Sequence, residues 1–359
     1  MNILIIGLGY AGKRYQRAFE YLRKNYSAIN LNISYVGRVK KDVALPYYAS
    51  IDEALHDFNP DIVVVSVNDK YHANVLYALE GYQGFVICEK PLVTQYDEIE
   101  KAIVGLKNVK GFALDLVERY SEATRKLRDF IVQNNCNLVR AHFYWGKDRI
   151  NDYRPTCGVI SEIIHAFDLV EWIYSQQGQI ILSSISGINS DFSISGDSVM
   201  DSAFITASLG NGIVTGYSSF VNIVRQRTVD FSFIDKNGRL LHARITYDTP
   251  YWDCDHLQIW TRNHLGRQEI IVDYRTDLEV FPAGLETIYK LSALCDDVLN
   301  FCAFNTLPVH PFADIETSRR LQLRLNDIAS QSDYCLNAKY FHGGERIFQS
   351  EDSELETLG

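Results

Sequence analysis

Lys90 has a side chain and a position in the sequence suited to moving a proton. It belongs to the tripeptide Glu89-Lys90-Pro91, which directly follows the apolar run 84–88. The carboxyl end of a buried parallel strand is where open α/β proteins bind their ligands, so a lysine at that edge is well placed for chemistry. Pro91 restricts Lys90 to extended geometry and allows a cis bond between them. A surface lysine beside a glutamate is the alternative interpretation.

His165 is the second candidate for proton transfer, and it lies in an apolar helical pattern. At about 100° per residue it shares one narrow stripe with Ser161, Asp168 and Trp172, whereas the opposite side of the helix is apolar. Buried polar side chains need hydrogen-bond partners. The stripe therefore either bonds to neighbouring backbone groups or lines a wet cleft between two domains, where it would meet a substrate.

A glycine-rich loop near the N-terminus predicts a dinucleotide site. The segment Gly7-Leu8-Gly9-Tyr10-Ala11-Gly12 fits the spacing GxGxxG, follows a strand pattern and opens a helical one. In that context the first glycine permits the tight turn, the second lets the backbone approach a pyrophosphate, and the third allows close helix packing. The helix N-terminus then offers N–H donors to the phosphates. A purely structural turn is the alternative.

The tip of the second strand indicates which cofactor is bound. A carboxylate there would bond to the adenosine ribose of NAD, but the segment from Tyr35 has Arg38 and no acid before Asp42. An arginine can stack on adenine and pair with a 2′-phosphate, so we expect NADP(H) to be favoured over NAD(H). A solvated basic turn is the alternative.

The first third of the chain alternates apolar strands with helical patterns, as a parallel sheet covered by helices requires. The strand patterns lie at 2–6, 33–38, 61–66 and 84–88, and the helical patterns at 11–24, 71–79 and 96–106. We therefore predict an α/β Rossmann domain with a doubly wound parallel sheet over residues 1–118.

Beyond a helix at 121–132 the pattern changes to long strands with short turns. The strands are expected at 138–146, 179–188, 199–209, 212–222, 227–235 and 239–246, with helices at 159–176, 283–303 and 313–330 packed on them. This predicts an α+β domain over 119–336, built on a large, mostly antiparallel open sheet. The polar segment 337–359 is expected to be a loosely held tail.

Bulk composition favours a small-molecule partner. The 359 residues carry a net charge of −10, which opposes broad attraction to nucleic acid. The apolar run at 2–6 has no basic lead and is too short for a signal or membrane segment. Seven scattered cysteines without a CxxC pair are typical of a reducing compartment, so we expect a cytoplasmic protein with buried or idle thiols.

Four motifs together resemble the glucose-fructose oxidoreductase and inositol dehydrogenase family, often called Gfo/Idh/MocA. They are the loop at 7–12, Val67-Asn68-Asp69-Lys70-Tyr71-His72, Glu89-Lys90-Pro91 and His165-Ala166-Phe167-Asp168. The resemblance covers nearly the whole chain and implies hydride transfer between nicotinamide and a hydroxyl or carbonyl carbon of a sugar, cyclitol or nucleotide sugar. Expected catalytic residues are Lys90, His165 and Asp168. Expected cofactor contacts are Gly7, Gly9, Tyr10, Ala11, Gly12, Arg38, Val67, Asn68, His72, Glu89 and Lys90.

One departure from the family concerns the turn before His165, where many relatives carry an aspartate and this chain has Ser161. A hydroxyl cannot stabilise an imidazolium electrostatically as a carboxylate does, so the acid–base arrangement or the substrate is expected to differ. Glu162 is rotated by about 100° and does not replace that carboxylate. The spacing Glu162-x-x-His165 has no recognisable third ligand, and we predict no metal site.

Substrate contacts are expected from Lys90, Tyr153, Arg154, Ser161 and His165. The segment before the His165 helix mixes aromatic and basic residues, namely Trp145, Lys147, Arg149, Tyr153 and Arg154, which suit a hydroxylated or anionic ligand, although a plain strand end and loop is the alternative. Lys90 or His165 would exchange a proton with the substrate oxygen. Reduction of a non-sugar carbonyl or imine, and a dinucleotide-sensing regulator without turnover, remain open. A homodimer or homotetramer through the second sheet is expected.

Overall fold

The computed structural model describes residues 1–25, 29–151, 154–174, 178–277, 282–331 and 335–342. The chain forms two compact units, and each is contributed by two stretches of sequence. The first unit comprises 1–117 and 282–323, and the second comprises 118–281 and 324–359. The first boundary lies at the position that the change of pattern near residue 118 predicts.

The first unit contains a six-stranded sheet in the order β3-β2-β1-β4-β5-β6, and all its pairings are parallel. Its strands are β1 (Asn2–Ile6), β2 (Asn32–Val36), β3 (Tyr47–Tyr48), β4 (Ile62–Val65), β5 (Phe85–Cys88) and β6 (Gly111–Leu114). Every residue of β4 and β5 is buried, because helices cover both faces of the sheet. The prediction of a doubly wound parallel sheet is confirmed.

Four α-helices alternate with these strands. They are α1 (Tyr10–Asn25), α2 (Ile51–Asp57), α3 (His72–Ala78) and α4 (Ile99–Gly105), with short 3-10 helices at Asp69–Tyr71 and Val117–Tyr120. The apolar side of α1 buries Tyr15, Ala18, Phe19 and Leu22. The sequence pattern predicted α1, α3 and α4, but it missed α2 and the strands β3 and β6.

Two C-terminal helices require a correction. They are α7 (Tyr289–Phe304) and α8 (Ile315–Ala329), and the sequence analysis placed both on the second sheet. In the structure α7 and the first part of α8 belong to the first unit. Arg14 on α1 donates to the Thr287 carbonyl at 2.7 Å, and the N–H of Leu114, the last residue of β6, donates to the Ala313 carbonyl at 2.9 Å. An apolar helix face indicates that other residues cover the helix, but it does not indicate which sheet they belong to.

The second unit is built on a nine-stranded sheet in the order β14-β13-β12-β11-β7-β10-β9-β8-β15. Its strands are β7 (Asn137–Asp148), β8 (Ile181–Ser190), β9 (Val199–Leu209), β10 (Gly212–Ser219), β11 (Val221–Ile234), β12 (Leu240–Thr246), β13 (His256–Arg262), β14 (Gln268–Arg275) and β15 (Leu336–Ala338). The β7–β10 and β8–β15 pairs are parallel and the others are antiparallel. The mostly antiparallel sheet is confirmed; β13 and β14 were missed.

Helices α5 (Glu122–Gln133) and α6 (Ile160–Ile173) pack on one face of this sheet. Strand β7 shows the alternation that results: Phe143 and Trp145 are fully buried, whereas Tyr144 between them is partly exposed on the other face. Phe143 meets Phe167 of α6 edge-on, with ring centroids 6.0 Å apart. The sheet therefore holds α6, and with it His165, in a fixed register.

The segment predicted as a loose tail is anchored where it begins. Strand β15 pairs with β8, and the backbone N–H of Tyr340 donates to the Asp191 carboxylate at 2.7 Å. The prediction of a loose segment from residue 337 is thus wrong for its first residues, because edge pairing and one buried carboxylate hold them. Residues 343–359 lie outside the described part of the chain.

Candidate functional site

The loop between β1 and α1 requires glycine at two positions. Gly7 has a φ of +96°, and a Cβ there would lie 2.9 Å from the Ser66 carbonyl oxygen. A Cβ on Gly12 would lie only 2.1 Å from the Gly7 carbonyl oxygen. The Ser66 hydroxyl donates to that same carbonyl at 2.9 Å. Strand end, loop and helix are therefore packed more closely than a side chain would allow.

Gly9 differs from the other two glycines because a Cβ built on it meets nothing within 4 Å. It faces open space directly before α1, which begins at Tyr10 and has no acidic residue in its first turn. An open glycine at a helix N-terminus lets a phosphate approach the backbone and the positive end of the helix dipole. The loop thus fits the pyrophosphate of a dinucleotide, with Tyr10 and Ala11 beside it.

Basic side chains gather beyond the carboxyl ends of β2 and β4. The exposed Arg38 places its guanidinium 4.4 Å from the centre of the Tyr71 ring, and the Lys70 ammonium lies 5.0 Å from the same ring. Hydrogen bonds from Arg38 and Lys70 lower the pKa of Tyr71. Two cations therefore stand where the adenosine end of a bound dinucleotide would be expected from the Rossmann topology.

His72 has a different place from the cofactor contact that the family resemblance implied. Its ring is fully buried, with Nδ1 2.7 Å from the Pro91 carbonyl oxygen and Nε2 3.1 Å from that of Val67. The imidazole thus connects the segment after β4 to the segment after β5. We correct its role to that of a positioning residue. Nearby, the Asn68 side chain caps the 3-10 helix by accepting from the Lys70 N–H at 3.4 Å.

Lys90 follows β5 at the carboxyl edge of the parallel sheet, and the Lys90–Pro91 peptide bond is cis. The preceding Glu89 is anchored by its backbone N–H, which donates to the Val65 carbonyl at 2.9 Å. Burial and the neighbouring Asp115 raise the pKa of the Glu89 carboxyl, against the opposing charges of Lys90 and Arg14. The first unit therefore gathers the glycine loop, Arg38, Glu89 and Lys90 along one sheet edge.

In the second unit, His165 on α6 is 7% exposed and stacks on Trp145 of β7, with ring centroids 5.9 Å apart and planes 23° from parallel. A helix face and a strand therefore fix the imidazole on one side. The stacked indole restricts the rotation of the ring, and an acid–base histidine needs such restriction to keep its nitrogen aimed at a substrate.

Asp168, one turn after His165, forms a buried two-point ion pair. Arg119 donates from Nε to Oδ2 at 2.7 Å and from Nη2 to Oδ1. Ser161 donates from its hydroxyl to the Gly158 carbonyl at 3.0 Å. Both predicted site residues thus bond to groups of their own unit, and a positioning role for each fits the contacts better than direct proton transfer by Asp168.

Glu162 is a central residue that the sequence analysis set aside. It is fully buried and accepts from Arg227 Nη2 at 2.8 Å, from Lys147 Nζ at 2.8 Å and from Trp145 Nε1 at 3.2 Å. The same Trp145 stacks on His165, so Trp145 lies between the Glu162 carboxylate and the imidazole and contacts both. The predicted helix geometry placed it off the polar stripe and gave no reason to assign it partners.

Arg227 is a buried residue beside the candidate site that sequence reasoning missed entirely. Besides Glu162 it contacts Asp248 at 2.6 Å and Glu118 at 3.6 Å. Burial alone would lower the pKa of its guanidinium, but these carboxylates raise it overall. A signal was present, because Arg227 shares its strand face with Val229, Phe231 and Phe233, which are buried. A charge on an inward face implies buried partners.

The expected substrate contacts are only partly described. Lys147 binds Glu162, and Arg149 lies over the Phe220 ring at 4.7 Å. Arg154 is half-buried, and Tyr153 lies outside the described residues. Within the described part of the chain no cluster of three or more His, Cys, Asp or Glu side chains has the geometry of a metal site. No described helix has the length and apolar character needed to span a bilayer.

Comparison with known proteins agrees with the motifs. Residues 1–111 match the model of the family described as "Oxidoreductase family, NAD-binding Rossmann fold", GFO_IDH_MocA. Residues 1–111 are thus similar to the NAD-binding domain of the Gfo/Idh/MocA oxidoreductases. The family resemblance drawn from the sequence is therefore confirmed.

Among curated proteins, the chain is 20% identical over 182 residues to inositol 2-dehydrogenase of Salmonella paratyphi B, covering 48% of this chain and 54% of that protein. The match spans about half the length of that relative. Two solved structures share the fold over most of both chains. Levoglucosan dehydrogenase, complexed with NADH and L-sorbose, has a TM-score of 0.71 at 14% identity, covering 93% and 96%. The transcriptional regulator Gal80p of Kluyveromyces lactis has a TM-score of 0.69 at 12% identity, covering 92% of each.

Proposed function

We propose that this protein is a nicotinamide-dependent oxidoreductase that acts on a hydroxyl or carbonyl carbon of a sugar, cyclitol or nucleotide-sugar-like substrate. The observation that carries the proposal is the loop at 7–12, where Gly9 opens to a helix N-terminus and Lys90 follows β5 on the same sheet edge. The family match and the dehydrogenases that share the fold support it.

The roles proposed for this chain's residues are binding and proton transfer. The nicotinamide, when bound, supplies the hydride chemistry. The glycine loop holds the pyrophosphate, and Lys90 or His165 exchanges a proton with the substrate oxygen. Trp145, Arg119 and Asp168 hold the His165 helix in place. The basic residues Lys147 and Arg149 favour a hydroxylated or anionic substrate.

The experiment that tests the proposal begins with titration of purified protein with NADPH and NADH, followed by fluorescence and preceded by removal of any retained nucleotide. A panel of sugars, cyclitols and nucleotide sugars is then assayed by nicotinamide absorbance with the tighter cofactor. Saturable binding and turnover with one substrate class support the proposal. Folded, nucleotide-free protein that binds neither cofactor would overturn it.

NADP(H) is the cofactor we propose, because Arg38 and Lys70 place two cations around Tyr71 and the strand tip has no carboxylate before Asp42. A 2′-phosphate would be attracted to this pair, whereas the ribose diol of NAD would lack its usual acidic partner. Equal catalytic efficiency with the two cofactors, or a preference for NADH, would contradict this part of the proposal.

A non-catalytic regulator is the second candidate. Gal80p, a transcriptional regulator, shares the fold, and Ser161 here bonds to backbone where many family enzymes carry an aspartate. A third candidate function is reduction of a non-sugar carbonyl or an imine. Cofactor binding without turnover of any panel substrate favours the regulator, and turnover of a keto acid or imine favours the third candidate.

We further propose a cytoplasmic homodimer or homotetramer assembled through the second sheet. On the face opposite α6, the rings of Phe204, Tyr217 and Tyr144 form a row of tilted contacts with centroid spacings of 4.9 Å, and Phe204 is 47% exposed. An apolar aromatic row on an open sheet favours a protein partner. All seven cysteines lie in the described part of the chain and are thiols, in keeping with a reducing compartment.

A further inference from the structure

Two carboxylic side chains meet at the carboxyl edge of the parallel sheet in the first unit. Strands β5 and β6 pair in a register that sets Cys88 opposite Leu114, so the residues that follow, Glu89 and Asp115, are neighbours. The Asp115 N–H donates to the Cys88 carbonyl at 2.8 Å, and burial together with the neighbouring Asp115 carboxyl raises the pKa of Glu89. This contact lies one residue from Lys90.

The surroundings of Asp115 indicate where the proton of this pair is held. Asp115 is 7% exposed, and its Oδ2 accepts from the Tyr15 hydroxyl at 2.8 Å. Its Oδ1 is buried and receives no hydrogen bond from the fixed N–H and O–H donors of the described residues. A buried carboxylate oxygen without a donor is costly. The adjacent Glu89 carboxyl supplies a donor only when it is protonated, because an ionised carboxylate only accepts.

The charges around the pair lead to the same assignment. Along the chain, Glu89 is flanked by Cys88 and Lys90. Helix α1 contributes Arg14 and Tyr15 to the surroundings of the pair, and α7 contributes Cys295. Burial raises the pKa of Tyr15 and of both thiols, so these groups stay neutral near neutral pH. Two carboxylates in contact cannot both ionise at low cost. The pair therefore holds one proton and one negative charge, with Tyr15 donating to Asp115.

We infer that Glu89 is a neutral carboxylic acid, held so by Asp115, and that it acts as a positioning residue beside Lys90. The inference rests on the proposed function of Lys90. A carboxylate at position 89 would stabilise the ammonium form of the lysine, whereas a neutral acid leaves that ammonium able to give up a proton. In the reducing direction one N–H bond of Lys90 breaks and one O–H bond forms on the substrate, while hydride from the nicotinamide adds to carbon. Glu89 keeps its own proton throughout.

Infrared difference spectroscopy tests the protonation state without any assay of activity. Wild-type protein minus Glu89→Gln, at neutral pH, is expected to show the carbonyl stretch of a protonated carboxylic acid. Asp115→Asn should lose the same band at a lower pH than the wild type, because Glu89 stays buried but no longer has a negative neighbour. Glu80→Gln, an exposed position in the same unit, is the matched control and keeps the band. Absence of the band in the wild type, its persistence in Glu89→Gln, or an unchanged pH dependence of the band in Asp115→Asn overturns the inference.

The pH profile of kcat/KM tests the effect on Lys90. Glu89→Gln is expected to keep the pH midpoint of the limb that reports the essential base, whatever its effect on turnover, since an amide resembles the neutral acid. Asp115→Asn should move that midpoint, because it removes one negative charge near the ammonium and lets Glu89 ionise at a lower pH. An equal shift in both variants contradicts the inference. Failure of the wild type to turn over any substrate counts against the proposed function alone, since the infrared result stands independently.

Discussion

At the scale of single residues, the proposed reaction depends on two proton-transfer candidates held by very different contacts. Lys90 follows a buried strand beside a carboxyl pair, whereas His165 sits on a helix and stacks on Trp145. A second buried histidine, His72, has its ring nitrogens 2.7 and 3.1 Å from two backbone carbonyl oxygens, contacts that fit a positioning role. Residue type alone therefore does not distinguish an acid–base group from a structural one; the neighbouring groups do.

Replacing Lys90 with Ala should reduce kcat by about 10²–10⁴-fold, because general acid–base groups contribute that range. His165→Asn should fall in the same range if the imidazole carries the proton. Steady-state kinetics with saturating cofactor measures both, with Lys107→Ala, an exposed lysine in the same unit, as control. Near-normal turnover in either variant would remove that residue from the mechanism.

Replacing Arg38 with Ala should weaken NADPH binding by about 10-fold or more and leave NADH binding within about 2-fold. A charge-assisted bond to a phosphate contributes roughly 1.5–3 kcal/mol, and 1.4 kcal/mol is tenfold in affinity. Fluorescence titration measures both dissociation constants. Arg23→Ala, an exposed arginine at the end of α1, is the control. An equal loss of affinity for NADPH and NADH would show that Arg38 does not recognise the 2′-phosphate.

At the scale of secondary-structure elements, glycine has two different roles in the loop from β1 to α1: one allows close packing and the other leaves space for a ligand. Gly12→Ala should impair folding or stability, because its Cβ would meet a backbone oxygen at 2.1 Å. Gly9→Ala should fold normally, since its Cβ meets nothing, yet lose most cofactor affinity because that space is reserved for the pyrophosphate. Thermal unfolding with and without cofactor distinguishes the two. Unchanged affinity in Gly9→Ala would contradict the phosphate site.

Strands β11 and β12 offer a comparison of buried and exposed ion pairs. Arg227→Met removes the buried guanidinium that contacts both Glu162 and Asp248, although Lys147 still contacts Glu162, and should lower the free energy of unfolding by about 3–5 kcal/mol. Arg244→Ala removes a pair in which the arginine side chain is 52% exposed, and should cost at most about 1 kcal/mol. Urea denaturation of both variants measures the difference. Similar decreases in the free energy of unfolding would show that the buried ion pairs stabilise the fold no more than the exposed pair does.

At the scale of the whole molecule, the aromatic row on the open sheet should control assembly. Phe204→Glu adds a charge to a 47%-exposed position and should convert a dimer or tetramer to monomer, since a charge in an apolar interface is costly. Light scattering with size-exclusion chromatography gives the mass. Val39→Glu, at an exposed position in the first unit, is the control. Unchanged mass in Phe204→Glu places the interface elsewhere.

The sequence by itself determined the Rossmann sheet, the glycine loop and the edge position of Lys90. These follow from short stretches of adjacent residues: an apolar run buried on both faces, a turn that only glycine fits, and a polar residue at a strand end. It also determined most strands of the second sheet through period-two alternation, although it missed β13, in which three residues are buried, and β14, in which none is buried.

Only the tertiary structure decided which distant groups meet. Arg227 and Glu162 are 65 positions apart, and the order of strands and helices brings them into one ion pair. Strand pairing likewise sets Glu89 beside Asp115, and packing assigns α7 to the first unit. Such contacts depend on the topology of the whole sheet rather than on local pattern. For this reason the sequence indicated the residues that could do chemistry, whereas the fold determined the neighbours that set their charge.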